Sequence, residues 1–177
     1  MSAPSCPVAL VPVDRAHLPI IRTWLLDPLT RELVGTTRPP SDVQHEEWHQ
    51  RISHDGQAYT MTIVESASDT AVGICGLSAI EPVYRSAELW IYLGAQRRGG
   101  LGSAAVSLLL SAAFNDLGLH RVAARVFGFN LAAHDFFHSC GFTDEGRQRD
   151  AVFKRGAFHD VLLLGILEHE FRESQGA

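Results

Sequence analysis

A glycine-rich segment, QRRGGLGS at residues 96–103, most constrains how this chain folds, because it joins a strand-like run to a long apolar helix. Glycines let backbone N–H groups close around an anion, and the N-terminus of the following helix adds a positive dipole. The pattern Arg97-x-x-Gly100-x-Gly102 therefore predicts a pyrophosphate-binding loop, with a plain turn at Gly99-Gly100 as the alternative.

Segments of strand-like and helix-like periodicity follow one another along the chain in the order β-α-α-β-β-β-α-β-α-β-β. The strand-like runs lie at 8–13, 59–66, 71–80, 87–94, 120–129, 142–153 and 157–167. Asp14 is a candidate cap for a first helix through Leu18, Ile21 and Leu25, which Pro28 closes before a loop at 31–40. Ser41-x-x-Gln44 predicts the start of a second helix. The remaining helix-like runs lie at 104–118 and 130–141.

Composition limits the class of protein. With 177 residues, 46% of them hydrophobic, we expect one domain over residues 1–177 that frays at 1–6 and 172–177. With a net charge of −5, the composition does not indicate the basic face that nucleic-acid binding usually needs. Three distant cysteines indicate neither a disulfide framework nor a cysteine zinc site. No membrane-spanning run or signal peptide is apparent, so we predict a cytoplasmic location.

The second helix carries HEEWH at residues 45–49, which is the His-Glu-x-x-His pattern of zinc metalloproteases. The extended form of that pattern needs a glycine where this chain has Ile52. Trp48 and Ile52 are four residues apart and make the apolar stripe of this helix, so we expect His45 and His49 to flank it at the surface or half-buried. We assign no metal ligands, and a zinc hydrolase stays as an alternative.

The glycine-rich loop and a second motif together resemble the GNAT acetyltransferases. After the loop, a helix and a strand, that family has Asn-x-x-Ala-x-x-x-Tyr-x-x-x-Gly-Phe, and this chain has Asn130, Ala133, Gly141 and Phe142 at that spacing. The resemblance runs from about Val8 to Phe171, and its C-terminal part is similar to the branch of ribosomal-protein N-terminal and spermidine acetyltransferases. It implies an α+β fold with a mixed, mostly antiparallel central sheet of about seven strands and helices on both faces.

The resemblance also implies an acetyl-CoA site. The backbone of Trp90, Ile91 and Tyr92 would pair with the pantetheine arm and polarise the thioester. The pyrophosphate would be held by Arg97, Arg98, Gly99, Gly100, Leu101, Gly102 and Ser103. Asn130 would face the pantetheine arm, and its position before Leu131 equally suits a helix N-cap.

One position departs from the family motif. The tyrosine that often protonates the leaving CoA thiolate is replaced by Phe137, which has no proton to give. General acid catalysis typically contributes about 10²- to 10⁴-fold, whereas holding two reactants together can contribute more. The substitution therefore keeps a non-catalytic acyl-CoA-binding module as an alternative. His138, Ser139 and Cys140 are the polar residues nearby in sequence.

Attack by an amine also needs a base. Glu88, at the start of the central strand, is our first candidate, with solvation or pairing to Arg85 as the alternative reading of its carboxylate. His120 and Tyr92 are weaker candidates. Asp160 and His159 are candidates for lining an acceptor pocket, with exposure of at least one of them to water as the alternative. The resemblance implies that the HEEWH helix borders that pocket. The predicted function is direct acetyl transfer from acetyl-CoA to a primary amine, namely a protein N-terminus, polyamine, amino sugar or aminated metabolite. A homodimer is compatible with the resemblance, but no segment predicts it.

Overall fold

The computed structural model describes residues 6–94 and 99–176, and within these ranges it contains seven strands and six α-helices. The strands are β1 (Val8–Pro12), β2 (Tyr59–Glu65), β3 (Thr70–Glu81), β4 (Ser86–Leu93), β5 (Arg121–Phe127), β6 (Thr143–Lys154) and β7 (Ala157–Leu167). The helices are α1 (Leu18–Leu26), α2 (Pro28–Leu33), α3 (Asp42–His54), α4 (Leu101–Ser111), α5 (Leu131–Ser139) and α6 (Glu168–Gln175). None of the described helices has the length and apolar character needed to cross a membrane.

The strands form one sheet in the order β1-β2-β3-β4-β5-β7-β6. β1 pairs antiparallel with β2, and β7 pairs antiparallel with both β5 and β6. β4 and β5 are parallel, and the chain between them passes through α4, as parallel pairing requires a long crossover. The predicted α+β class, with a mixed and mostly antiparallel sheet of about seven strands, is confirmed.

The chain divides into two compact units, Met1–Gly76 with Ile91–Leu109, and Leu77–Trp90 with Leu110–Ala177. The largest fully buried side chains of the first unit are Ile21, Ile63, Ile74, Val106 and Leu109. Those of the second are Leu77, Leu110, Leu119, Val122, Phe142, Leu164 and Ile166. Each unit therefore has its own apolar interior, and a single domain over residues 1–177 stays a prediction.

Helix α2 corrects the predicted end of the first helix. The sequence predicts that the first helix stops at Pro28 and that a loop follows from Arg31, whereas the structure begins α2 at Pro28. Asp27 caps this short helix, since its Oδ2 accepts hydrogen bonds from the backbone N and the Oγ1 of Thr30 at 2.8 and 2.6 Å. Proline suits the first helical position because its missing N–H has no partner there, so the same residue ends one helix and starts another.

The C-terminal segment also differs from expectation, because α6 is helical over residues that were expected to fray. Glu170 Oε2 accepts a hydrogen bond from the backbone N of Leu167 at 2.8 Å, which closes the first turn. Phe171 is buried, and its ring centroid lies 5.5 Å from that of Phe114. Packing of one aromatic side chain therefore orders the segment, a long-range effect that its local sequence does not reveal.

Several predictions fall on residues that the structure does not describe. Residues 1–5, where fraying is predicted, together with Arg97 and Arg98 of the glycine-rich loop, lie outside the described ranges.

Helix α4 begins at Leu101, earlier than the predicted 104, and continues through a π-helical turn at Ala112–Asp116. The backbone N of Leu117 donates to the carbonyl of Ala112 at 3.0 Å, which is the i to i−5 bond of that turn.

Candidate active site

The described part of the glycine-rich loop leads directly into α4, in the first unit. Gly99 and Gly100 have φ angles of +82° and +74°, and a Cβ atom at either would meet nothing within 4 Å. Glycine is therefore required by the backbone conformation and not by crowding, and the space beside the loop is open. The carbonyl of Gly100 accepts a hydrogen bond from the backbone N of Ala104 at 3.0 Å, which joins the loop to the helix.

This geometry supports the predicted anion site without testing it. Successive residues in a turn conformation, like Gly99 and Gly100, can expose their backbone N–H groups in a concave, anion-binding arrangement. Ser103 is exposed in the first turn, while Leu101 and Gly102 are buried. Ser103 is therefore placed where its hydroxyl can donate to an anion, whereas Leu101 anchors the helix end in the interior.

Strand β4 carries the predicted base in the second unit. The parallel register with β5 runs from Ser86↔Arg121 to Glu88↔Ala123 and ends there, although β4 extends to Leu93 and β5 to Phe127. Glu88 is half-buried at this last pair, and its carbonyl accepts a hydrogen bond from Ser78 Oγ at 3.4 Å. Glu88 therefore sits where two adjacent parallel strands stop pairing.

The alternative in which Glu88 pairs with Arg85 is not what the structure shows. Arg85 Nε donates to the carbonyl of Gly118 at 2.6 Å, and its Nη2 lies 3.8 Å from Glu168 Oε2. Within residues 6–94 and 99–176, no ion pair or side-chain hydrogen bond joins the Glu88 carboxylate to another residue. That carboxylate is consequently available to a substrate amine or to water.

The two weaker base candidates are less suitable. Burial raises the pKa of Tyr92 well above its ordinary value, so its phenol stays protonated at neutral pH. Its ring packs edge-on against that of Trp24, with centroids 6.2 Å apart. His120 is exposed, and its Nδ1 lies 3.8 Å from Glu168 Oε2.

Helix α5 presents the second motif. Asn130 is the N-cap, as predicted, because its Oδ1 accepts a hydrogen bond from the backbone N of Ala133 at 3.2 Å. Phe137 is 6% exposed, and its ring lies 5.1 Å from that of Phe142 and 5.4 Å from that of Phe136. The position of the family's tyrosine is therefore part of an aromatic cluster in the interior of this unit.

A cavity of about 770 Å³ lies within the second unit and includes both acceptor-pocket candidates, His159 and Asp160. Asp160 Oδ1 accepts a hydrogen bond from the backbone N of Asp150 at 3.0 Å, and its Oδ2 lies 3.3 Å from Arg147 Nη1. His159 Nε2 is 3.0 Å from the carbonyl of Lys154, so this nitrogen carries the hydrogen. The Asp160 carboxylate and the His159 Nε2–H are thus already engaged by groups of the protein.

A cluster that the sequence did not predict lies beside this cavity: His134 and Asp144, which line it, together with His138. Their nearest nitrogen and oxygen atoms are 2.9 to 3.3 Å apart. The hydrogen bond from His134 is the main reason that the pKa of Asp144 lies below its ordinary value. The only signal in the sequence is the four-residue spacing within HDFFH at 134–138, the same as in HEEWH.

The HEEWH helix in the first unit is arranged differently from the expectation. His45 is buried and stacks on Trp48 with centroids 5.1 Å apart, so the prediction that His45 lies at the surface or half-buried is wrong. Burial, and then the nearby Arg22, lowers its pKa. Glu46 accepts a hydrogen bond from Arg15 Nη2 at 2.8 Å. His49 is half-buried, as predicted, with Nε2 3.2 Å from the carbonyl of Val13.

Comparison with known proteins defines the class to which this fold and these motifs belong. The model of the GNAT acetyltransferase domain matches residues 8–143. The chain therefore belongs to the GNAT acetyltransferase family. This match confirms the predicted family and the predicted class of enzyme, an N-acetyltransferase, and acetyl-CoA is the donor of that class.

Individual proteins with similar sequences are also named N-acetyltransferases. An uncharacterised N-acetyltransferase of Bacillus licheniformis, p20, is 31% identical over 121 residues, which cover 68% of each chain. Spermidine N(1)-acetyltransferase of Vibrio cholerae is 29% identical over 127 residues, covering 71% of this chain and 73% of that protein. The crystal structure of a spermidine N-acetyltransferase from Vibrio cholerae, in complex with CoA and spermine, superposes with a TM-score of 0.87. It covers 94% of this chain and 98% of that one, at 23% identity.

Proposed function

We propose that this protein acetylates a primary amine of a small polycationic molecule, of the polyamine class, by direct attack of the amine on acetyl-CoA. The carrying observation is the similarity to the spermidine N(1)-acetyltransferase of Vibrio cholerae over 71% of this chain. The net charge of −5 supports a cationic acceptor, because opposite charge raises the rate of encounter. A protein N-terminus, an amino sugar and an aminated metabolite are the competing acceptors.

In this proposal the glycine-rich loop binds the pyrophosphate of acetyl-CoA. The open space beside Gly99 and Gly100, and the exposed hydroxyl of Ser103, support that role. Hydrogen bonds from backbone N–H groups to a charged group each contribute about 1.5–3 kcal/mol. Two such bonds suffice to make the loop a major determinant of cofactor affinity.

The backbone of β4 at Trp90, Ile91 and Tyr92 pairs with the pantetheine amides and polarises the thioester carbonyl. The end of the β4–β5 register at Glu88↔Ala123 supports this role, because strands that stop pairing leave room for another extended chain. Asn130 contributes its side-chain amide to the same arm, while its Oδ1 continues to cap α5.

The reaction forms a bond between the amine nitrogen and the acetyl carbon, and breaks the bond between that carbon and the CoA sulfur. Glu88 takes one proton from the substrate ammonium, directly or through a water molecule, which frees the nitrogen lone pair for attack, and the second nitrogen proton passes to water as the amide forms. The half-buried Glu88 carboxylate, which has no ion pair within the described residues, supports this role. Phe137 cannot return a proton to the sulfur, so CoA leaves as a thiolate and takes its proton from solvent. No covalent intermediate with the protein is formed.

The test combines acetyl-CoA with a panel of acceptors: spermidine, spermine, a peptide with a free N-terminus, and glucosamine. Release of the CoA thiol is followed, and the acetylated product is identified by mass spectrometry. We expect turnover with the polyamines and only background with the others. Turnover with the peptide alone would replace the polyamine assignment by a protein N-terminus.

The competing class is an acyl-CoA-binding module without turnover, which the buried Phe137 favours. Thermal melting with acetyl-CoA separates the two functions. Ligand at a hundred times its Kd stabilises the folded state by about 2.7 kcal/mol, whether or not a reaction follows. A clear shift in melting temperature, without release of the CoA thiol in the presence of any tested amine, would establish the binding module.

The homodimer and the cytoplasmic location stay predictions.

A further inference from the structure

We propose that His134, His138 and Asp144 bind one divalent transition-metal ion, with Zn²⁺ as the reference ion. Two ligands come from consecutive turns of α5, and the third comes from the start of β6, all within the second unit. Metal binding is separate from the acetyl transfer proposed above and does not depend on it.

The two ring nitrogens and the carboxylate group lie close enough together to share one ion. His134 Nε2 lies 2.9 Å from Asp144 Oδ1 and 3.2 Å from His138 Nε2, which in turn lies 3.3 Å from Asp144 Oδ2. Zinc binds imidazole nitrogen and carboxylate oxygen at about 2.0–2.2 Å in a tetrahedron, so neighbouring ligands are about 3.3 Å apart. The nitrogen–nitrogen distance of 3.2 Å matches one edge of such a tetrahedron, and one ligand atom from each of the three residues lies within 4.8 Å of the other two.

Hydrogen bonding alone does not account for this triangle. A ring nitrogen carries at most one hydrogen, and an ionised carboxylate carries none. If His138 Nε2 donates to His134 Nε2, then His134 Nε2 has no hydrogen left for Asp144. If both nitrogens donate to Asp144, two N–H groups lie 3.2 Å apart without attraction between them. A cation at the centre of the triangle accepts all three lone pairs at once.

The ligand types select the ion. Two imidazoles and one carboxylate suit Zn²⁺ and the neighbouring first-row ions, whereas Mg²⁺ and Ca²⁺ prefer sites made of oxygen alone. The far nitrogen of His134, Nδ1, lies 3.9 Å from Asp135 Oδ1, so a negative charge also stands behind this ligand. His134 and Asp144 both line the cavity of about 770 Å³, so an ion here is reachable from solvent. Three protein ligands leave the fourth position for water.

The other His-x-x-x-His pair gives a comparison within the same chain. His45 is buried against Trp48, and Glu46 is held by Arg15. Among the residues that the structure describes, the cluster at 134–144 is the one group of three ligand side chains with mutually close donor atoms. Spacing along a helix is common to both pairs, but the third ligand is present in only one.

The experiment measures metal binding by tag-free protein that has been treated with a chelator and then dialysed. Calorimetric titration with Zn²⁺ and the visible absorption of bound Co²⁺ report stoichiometry and ligand geometry. We expect one ion per chain and tetrahedral Co²⁺ bands. His138→Ala and Asp144→Asn should each weaken binding by at least tenfold, since even supporting residues of metal sites typically change affinity by about 10- to 100-fold.

His120→Ala and His49→Ala are the matched controls, because each removes one imidazole from another part of the chain. They should bind Zn²⁺ as the wild type does. His138 and Asp144 side chains are 40% and 56% exposed, so their variants are expected to fold, and melting in chelator checks this. The proposal is overturned if the wild type binds no ion, or if His138→Ala and Asp144→Asn retain wild-type stoichiometry and affinity. The assay contains no acetyl-CoA, so its outcome is independent of turnover.

Discussion

Replacing Gly100 by alanine tests whether the glycine-rich loop holds the pyrophosphate of acetyl-CoA. Gly156, in the turn between β6 and β7, is a matched control. The two glycines have φ angles of +74° and +75°, and a Cβ atom at either would meet nothing within 4 Å. Alanine therefore imposes the same backbone strain at both positions and no clash at either.

The expected magnitudes follow from this match. An L residue in the left-handed conformation costs about 1–2 kcal/mol, which lowers Tm by about 2–4 °C per kcal/mol in a chain of this length. Both variants should show this loss. Gly100→Ala should in addition disturb one or two N–H bonds to phosphate, each of about 1.5–3 kcal/mol. Acetyl-CoA should then bind about 10- to 100-fold more weakly to this variant alone, since about 1.4 kcal/mol is tenfold.

The assay is calorimetric titration of each variant with CoA and acetyl-CoA, well below its Tm. A Gly100→Ala protein that binds both ligands as the wild type does would refute the role of the loop. If Gly156→Ala weakened the binding of CoA and acetyl-CoA as much as Gly100→Ala does, the loop would again lose its assigned role, because the effect would then come from general destabilisation.

Three further predictions concern the base, the interior and an ion pair. Glu88→Gln should lower kcat by about 10²- to 10⁴-fold without changing Tm, and an unchanged rate across the pH range would remove Glu88 as the base. Phe137→Ala should destabilise the protein by about 3–5 kcal/mol in denaturant unfolding, whereas Leu131→Ala on the same helix, 64% exposed, should cost little. The hydrogen bond from Arg121 lowers the pKa of Glu145, so this pair stabilises the fold above the carboxyl's ordinary pKa and loses its effect as pH falls through the lowered value. Glu145→Gln should therefore cost up to about 1 kcal/mol at pH 7, since the pair is about one-third exposed, and a cost that persists in acid would contradict this origin.

Local signals in the sequence predicted several elements close to their observed bounds. The capping pattern at Ser41 placed α3 correctly because both hydrogen bonds of that cap join residues three positions apart: Ser41 N to Gln44 Oε1 at 3.1 Å and Gln44 N to Ser41 Oγ at 3.2 Å. The alternating run at 120–129 and the motif from Asn130 likewise identified β5 and α5. Pro28 was misassigned because proline is compatible with both the end of one helix and the first turn of the next.

The sequence by itself determined the order of the seven strands and of the four helices α1, α3, α4 and α5, the glycines of the loop and the family, because these depend on residues near one another in the chain. Only the tertiary structure decided which side chains are buried and which meet. His45 was expected beside an apolar stripe and is instead the buried residue of α3, because burial depends on what packs against the helix. His134 and His138 were visible as a pair, but Asp144 joins them only after the chain turns at Gly141, where φ is +91°. A ligand triangle is a three-dimensional property, since its third member comes from another element.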